Sequence, residues 1–236
     1  MRGRLVIAAI VVGFVAACAP PPPPVKEAPP RVPEGFPADY YQRALDERKP
    51  VFRVDPSQSL ATIEVRRGGS LARLGHDHVV ASHDVQGYIA PEARRADLYV
   101  ELDRLMVDEP DLRKEAGFDT EPSAADIAGT RQNMLDKVLE VERYPYALIS
   151  IKNIDHAADG TRLNAVITLH GTTRAIAIRA KVDATADAIE VSGRFALLQS
   201  EFGMSPFSIL GGAIQVADQV DVRFRVRGRR VGGADA

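Results

Sequence analysis

The chain of 236 residues contains no tryptophan and a single cysteine, Cys18, and aromatic residues make up only 6% of it. One thiol cannot close an intrachain disulfide, so in an oxidising compartment it would pair with another molecule unless it is modified. Acidic and basic residues nearly balance, giving a formal net charge of −2, and no basic stripe is evident. The composition therefore argues against a protein that binds nucleic acid through electrostatic attraction.

The N-terminus has the layout of a secretory signal. Basic residues at positions 2 and 4 precede an apolar run from Leu5 to Val15, which is too short to span a bilayer as a helix. The sequence Val15-Ala-Ala-Cys18 resembles the lipobox of bacterial lipoproteins, in which the cysteine is acylated and becomes the mature N-terminus. This resemblance implies a signal peptide at residues 1–17 and lipidation at Cys18. Ordinary signal cleavage beside an incidental cysteine is the alternative.

The residue after the cysteine indicates the membrane to which a lipoprotein is sorted. It is Ala19, and by resemblance to the sorting of Gram-negative lipoproteins the absence of aspartate there implies the outer membrane. We therefore expect a cell-envelope protein that is lipid-anchored on the periplasmic face of the outer membrane.

Residues 18–49 are predicted to form a proline-rich linker. Prolines are dense from Ala19 to Pro37, with an unbroken run from Pro20 to Pro24. Proline removes backbone donors and fixes φ, so we expect an extended spacer that holds the folded domain off the membrane surface. The folded domain is assigned to residues 50–228 and a polar tail to residues 229–236.

The folded domain has a hydrophobic period of two, which is typical of half-buried antiparallel strands. Alternating apolar positions recur at residues 61–65, 98–102, 163–169, 176–182, 189–197 and 220–226. One helix is predicted, capped by Ser123 and running to about Val141, after a loop between Asp108 and Pro122. The prediction is an all-β fold with one helix, closed into an antiparallel barrel of about eight strands. A two-sheet sandwich has the same period and is the alternative.

Several motifs resemble the YceI-like family over about Val51 to Arg227. They are Ile167-Thr-Leu-His-Gly-Thr-Thr-Arg174, Leu139-Glu-Val-Glu-Arg-Tyr-Pro-Tyr146, Phe202-Gly203, Val216-Ala-Asp-Gln-Val220 and an opening that ends in Gly87-Tyr88. The resemblance implies an extended, lipocalin-like, eight-stranded antiparallel barrel. It also implies an apolar tunnel that binds a polyisoprenoid or a similar long amphiphile, such as an isoprenoid quinone or a fatty-acid derivative.

The chain departs from the family pattern at two polar places. Gly75-His-Asp-His78 stands where many relatives have one histidine, and Gln199-Ser-Glu201 stands where an arginine is usual. Both changes concern polar residues, so the head group of the ligand could differ from that of relatives. The inference that the barrel binds a hydrocarbon tail is less affected, because the strand positions expected to face inward are mostly Ala, Val, Ile and Leu.

His76 and His78 are assigned to the ligand, as polar groups at the mouth of the cavity, although they could instead only hydrogen-bond at a turn of the barrel. They are two apart, so on an extended strand both rings face one side while Asp77 faces the other. The pair could instead hold a transition metal, but that needs a third ligand such as His83 or His170, and no second motif supplies one. We predict ligand binding and no metal, with a metal-binding envelope stress protein as the alternative.

Two further residues are assigned to the ligand. Arg174 could contact an anionic head group, although a tight hairpin around Gly171 explains the same motif. Phe207 belongs either to the core or to an apolar lip of the tunnel.

No catalytic pattern is visible. Ser200 and Ser205 do not lie in a nucleophile elbow, and no phosphate-binding glycine loop is present. We therefore predict a periplasmic lipoprotein that binds a long-chain lipid for carriage or sequestration, with no catalytic role and no cofactor beyond a bound isoprenoid lipid. A structural interaction domain with a solid core is a third alternative.

Overall fold

The computed structural model describes residues 31–157 and 160–232, so the predicted signal peptide, Cys18 and the end of the tail lie outside the described residues. The strands in these ranges are β1 (Phe52–Val54), β2 (Leu60–Gly68), β3 (His78–Ser82), β4 (Val85–Ala90), β5 (Arg95–Glu101), β6 (Met106–Val107), β7 (Tyr146–Ala157), β8 (Gly160–Leu169), β9 (Thr172–Ala184), β10 (Ala188–Leu198), β11 (Ser208–Ile209) and β12 (Ile214–Arg230). The α-helices there are α1 (Ala38–Asp46), α2 (Pro110–Glu115) and α3 (Ala124–Asn133).

The described strands close into an antiparallel barrel with eight positions around its wall. The order is β1, β4, β5, β7, β8, β9, β10 and β12, and β12 pairs back onto β1. Residues 215–225 of β12 pair with β2 instead, and β2 pairs with β3. Hence β1 and β2 are consecutive segments of one wall position, and β3 and β4 are segments of the next. The predicted eight-stranded antiparallel barrel is confirmed.

The break between β1 and β2 follows from Asp55 and Pro56. Proline has no N–H to donate to a sheet ladder, and Pro56 begins a 3₁₀ turn that runs to Gln58. The Asp55 carboxylate caps this turn by accepting the backbone N–H of Ser57 at 3.1 Å. The turn separates a barrel half closed by β1 from a half closed by β2.

The half closed by β1 has a packed interior. A row of buried residues crosses neighbouring strands on the inner face, and its members are Phe52, Ile89, Ala96, Ile151 and Ala165. This row contributes to the apolar burial that stabilises the barrel.

The predicted helix is present as α3. The Ser123 hydroxyl accepts the Asp126 backbone N–H at 3.2 Å, while the Asp126 carboxylate accepts the Ser123 backbone N–H at 3.1 Å. This reciprocal capping box fixes the start of the helix. After Asn133 the chain continues as a π-helical turn, Met134–Val138, three residues short of the predicted end.

Helix α1 was not predicted, and it lies at the end of the segment assigned to the linker. Tyr41 is only 1% exposed, and its hydroxyl donates to Asp97 Oδ2 at 2.7 Å. Burial, followed by this hydrogen bond, raises the pKa of Tyr41 well above its usual value. A helix of nine residues is marginal by itself, so contacts with the barrel rather than local sequence hold it. Residues 38–46 are therefore part of the folded domain.

Helix α2 lies where a loop was predicted. Pro110 occupies its first turn, where the missing N–H costs nothing, and Arg113 is buried. Charge, glycine and proline in this stretch had favoured a loop. Among the described residues, none of the helices combines the length and the apolar character needed to cross a membrane.

Candidate ligand-binding site

A cavity of about 470 Å³ occupies the barrel half closed by β2. This volume lies within the range of about 300–1,000 Å³ that is usual for small-molecule sites. Aliphatic side chains from around the barrel form most of its wall, including Ala61, Ile63, Val65, Val80, Val100, Leu102, Ile149, Ile167, Leu197, Val220 and Val222. The cavity therefore favours a hydrocarbon ligand.

The cavity is elongated along β2 and β3. The facing pairs Ala61–Ser82, Ile63–Val80 and Val65–His78 follow one another along its wall. Arg67 and His76 line it beyond the last pair. At about 3.3 Å per residue, the wall from Ala61 to Arg67 is roughly 20 Å long. A linear chain suits this shape better than a compact molecule.

Helix α3 and the π-helical turn close one side of the cavity. On this side β3 pairs only with β6, which is two residues long, and the ladder between β5 and β7 ends at the pair Glu101–Tyr146. The guanidinium of Arg131 anchors α3 there by donating to the carbonyls of Leu105, at 2.9 Å, and Asp103. Thr130, Asn133, Met134, Val138 and Leu139 complete the cavity wall.

Two loops, residues 69–77 and residues 210–213, form the mouth of the cavity. Leu74 on the first loop and Ile209, just before the second, line the cavity although they are 61% and 45% exposed. Leu210, which follows Ile209, is 70% exposed. The backbone N–H of Leu71 donates to the carbonyl of Ala213 at 2.8 Å. A Cβ at Gly69, which has φ +90°, would lie 2.5 Å from that carbonyl oxygen. Only glycine permits this close approach of the two loops.

His78 is fixed to the wall by a buried carboxylate. Its Nδ1 lies 2.6 Å from Oδ2 of Asp108, whose side chain has no solvent exposure. Asp108 Oδ1 also accepts the backbone N–H of Val79 at 3.0 Å and Nη1 of Arg113 at 2.6 Å. Burial alone would raise the pKa of Asp108, but the hydrogen bonds from His78, Val79 and Arg113 lower it below its usual value. Asp108 is thus an ionised acceptor that orients the imidazole.

His76 lies beside His78 on the same cavity wall. The two ring centroids are 6.2 Å apart, whereas Asp77 is buried away from the cavity and accepts the backbone N–H of Arg67 at 2.8 Å. Asp126 also lines the cavity near this pair. Hydrogen bonds from the hydroxyl and the backbone N–H of Ser123 lower the pKa of Asp126 below its usual value. One end of a mostly aliphatic cavity therefore carries ionisable side chains.

Three of the four residues assigned to the ligand line the cavity, namely His76, His78 and Phe207. Their contact with a ligand stays a prediction. Arg174 is not brought to the cavity: its side chain is exposed at the start of β9 and donates to the carbonyl of Thr173 at 3.0 Å. This agrees with the alternative role of Arg174 in the hairpin after β8.

Sequence reasoning missed Asp108 and Arg113, which hold His78. The carboxylate is 30 residues from the histidine, in a stretch of Asp-Glu-Pro that is typical of a loop. Asp108 adopts a left-handed backbone with φ 57°, an uncommon conformation that the surrounding contacts maintain. No signal in the sequence alone links it to β3.

A metal site lacks the required ligands in the described part of the chain. In residues 31–157 and 160–232, no three or more His, Cys, Asp or Glu side chains are grouped so that they could hold an ion. The two histidines considered as a third ligand have other partners. His83 Nε2 lies 2.8 Å from Glu109, and His170 Nε2 lies 3.1 Å from Glu140.

Comparison with known proteins agrees with this architecture. The family model described as the YceI-like domain matches residues 52–227. A polyisoprenoid-binding domain from Saccharophagus degradans, implicated in plant cell wall breakdown, superposes with a TM-score of 0.52 at 15% identity, covering 75% of this chain and 97% of that one. BcnA of Burkholderia cenocepacia gives a TM-score of 0.51 at 14% identity, covering 74% and 98%. At these identities the likeness shows the fold alone. The search of curated proteins gave no match.

Proposed function

The chain belongs to the YceI-like family, and we propose that it binds a long-chain amphiphile, such as a polyisoprenoid, an isoprenoid quinone or a fatty-acid derivative, for carriage or sequestration. The observation that carries the proposal is the elongated cavity of about 470 Å³, which is mostly aliphatic along its length and has ionisable side chains at one end. Each methylene buried there contributes about 0.8 kcal/mol. The solved domain from Saccharophagus degradans, described as polyisoprenoid-binding, supports the same ligand class.

We propose a binding role rather than a catalytic one. A Ser-His-Asp hydrolase needs its histidine bonded to the carboxylate through Nδ1 and to the nucleophile through Nε2. The first bond is present between His78 and Asp108, but no hydroxyl or thiol of the described residues bonds to Nε2 of His78. The pair therefore serves to present one ring nitrogen to the cavity.

Filling the cavity tests the proposal. Ala61 lines its wall, so Ala61→Trp places an indole where the ligand chain would lie. We expect the co-purified lipid seen by native mass spectrometry of the wild type to fall at least tenfold in this variant. Ala175→Trp, on an exposed position of β9, is the matched control and retains the lipid. Equal lipid occupancy in the two variants, with both folded by circular dichroism, would contradict cavity binding.

For location, we propose a lipoprotein anchored through Cys18 on the periplasmic face of the outer membrane. The support is the sequence Val15-Ala-Ala-Cys18 after a signal-like N-terminus. Cys18→Ala is expected to move the protein from the membrane pellet to the soluble fraction, because acylation of the thiol is lost. The measurement is fractionation of cells followed by immunoblotting. Retention of the variant in the membrane fraction would refute the anchor.

A further inference from the structure

The ring of His78 is held in one tautomer. Asp108 accepts hydrogen bonds through Oδ1 from Val79 and Arg113, and its lowered pKa keeps the carboxylate ionised. An ionised carboxylate has no proton to donate, so the 2.6 Å contact between Oδ2 and Nδ1 requires the hydrogen to be on Nδ1. In neutral imidazole the other nitrogen is then a bare acceptor.

That acceptor nitrogen is available to the cavity. His78 lines the cavity, and Nε2 has no hydrogen-bond partner among the described residues. Among the described residues, the only fully buried side-chain N or O atom without a hydrogen-bond partner is Oδ2 of Asp84. Nε2 of His78 has no partner either, so it must be accessible. Val65, directly opposite His78, is aliphatic and offers no side-chain donor. A hydrogen bond to Nε2 must therefore come from a molecule held inside the cavity.

The charges at this end of the cavity favour a neutral head group. Asp126 brings a carboxylate to the cavity wall beside the histidines. Arg67 brings a guanidinium, which is already engaged with Asp77 at 3.7 Å and Asp119 at 3.3 Å. An anionic head group would face Asp126 without a cation of its own.

We propose that the amphiphile bound in this cavity ends in a hydroxyl group, an alcohol or a phenol, which donates its hydrogen to Nε2 of His78. The inference rests on the proposed function and narrows its ligand class. A site built to pair with a hydroxyl discriminates against an analogue that lacks it, because the buried polar atom then loses its partner. Carbonyl and ether oxygens cannot donate to Nε2.

Three isoprenoid probes with different head groups test the proposal. Farnesol, farnesyl methyl ether and farnesal share one isoprenoid chain and differ only at the head. Their affinities for the delipidated protein are measured by displacement of a fluorescent fatty-acid probe. We expect farnesol to bind about tenfold more tightly than the ether. This ratio of affinities corresponds to the free energy of one hydrogen bond. In His78→Phe this ratio falls to near one, whereas His83→Phe, at an exposed histidine outside the cavity, keeps it.

Asp108→Asn provides the reverse test. Its amide oxygen can keep the contacts with Val79 and Arg113 while its NH₂ group faces Nδ1, which moves the ring hydrogen to Nε2. An asparagine at the corresponding carboxylate of a serine-protease triad selects the wrong tautomer in the same way. We expect the preference in this variant to shift from farnesol toward farnesal, a carbonyl acceptor.

The outcomes separate this inference from the proposed function. Equal affinities of the three probes in the wild type overturn the hydroxyl proposal and leave lipid binding intact. An alcohol preference that persists in His78→Phe overturns it as well. Binding of none of the probes to the wild type contradicts the proposed function itself. If Asp108→Asn does not fold by circular dichroism, the comparison of His78→Phe with His83→Phe still decides.

Discussion

Asp108→Ala is expected to lower the free energy of unfolding by about 3–5 kcal/mol, the usual cost of removing one partner from a buried ion pair. Asp108 has no side-chain exposure and lies 2.6 Å from Nη1 of Arg113, whose side chain is 8% exposed. Without the carboxylate, the guanidinium stays buried with no counter-charge, and the backbone N–H of Val79 loses its acceptor. Urea unfolding followed by circular dichroism measures the effect as a lower midpoint with an unchanged slope.

Two variants control this experiment. Asp136→Ala removes an exposed aspartate from the π-helical turn and is expected to change stability by less than about 0.5 kcal/mol. The double variant Asp108→Leu with Arg113→Met removes both charges, so it is expected to recover part of the loss. A single Asp108→Ala variant as stable as Asp136→Ala would show that the buried pair contributes nothing.

Tyr41→Ala is expected to cost about 3–5 kcal/mol, the range for deleting a large buried aromatic side chain. The ring of Tyr41 stacks on Tyr88 with centroids 5.1 Å apart, and its hydroxyl donates to Asp97. Asp97 also accepts hydrogen bonds from Arg95 and Ser150, at 2.6 Å each, so Tyr41 completes a buried polar group that ties α1 to β5. The loss would be measured by urea unfolding, as for Asp108.

Limited proteolysis tests whether Tyr41 holds α1 on the barrel or stabilises the barrel as a whole. When α1 detaches, sites in residues 38–46 become cleavable before the barrel unfolds. Tyr41→Phe keeps the ring and removes only the hydroxyl, so we expect a smaller loss of about 1.5–3 kcal/mol for a hydrogen bond to a charged group. If Tyr41→Ala leaves both the unfolding midpoint and the cleavage pattern unchanged, α1 does not stabilise the domain.

The barrel could be predicted because strand alternation is a local property of the sequence. Runs such as Ala61, Ile63 and Val65 show the period of two directly, and the order of the family motifs supplied the closure. Helix α3 could be predicted from Ser123 and the apolar positions after it. Helices α1 and α2 could not, since a short helix depends on partners elsewhere in the chain, such as Asp97 for Tyr41.

The candidate site was predicted only in part for the same reason. The spacing of His76 and His78 placed both rings on one face, which the cavity wall bears out. The spacing could not reveal Asp108, because a loop brings that carboxylate to Nδ1 across 30 residues. Arg174 has a polar side chain in a characteristic motif, yet its position at the exposed start of β9 keeps it from the cavity.

The turn at Pro56 has an evolutionary consequence, because the cavity lies in only one of the two barrel halves that this turn separates. Phe52, Ile89 and Ile151 pack on one side of that division, and the cavity lies on the other. Exchanging one aliphatic residue for another along Ile63, Val65 or Val222 reshapes the cavity without opening a void in the packed half. The shape of the cavity can thus change by small steps while the packed half stays constant.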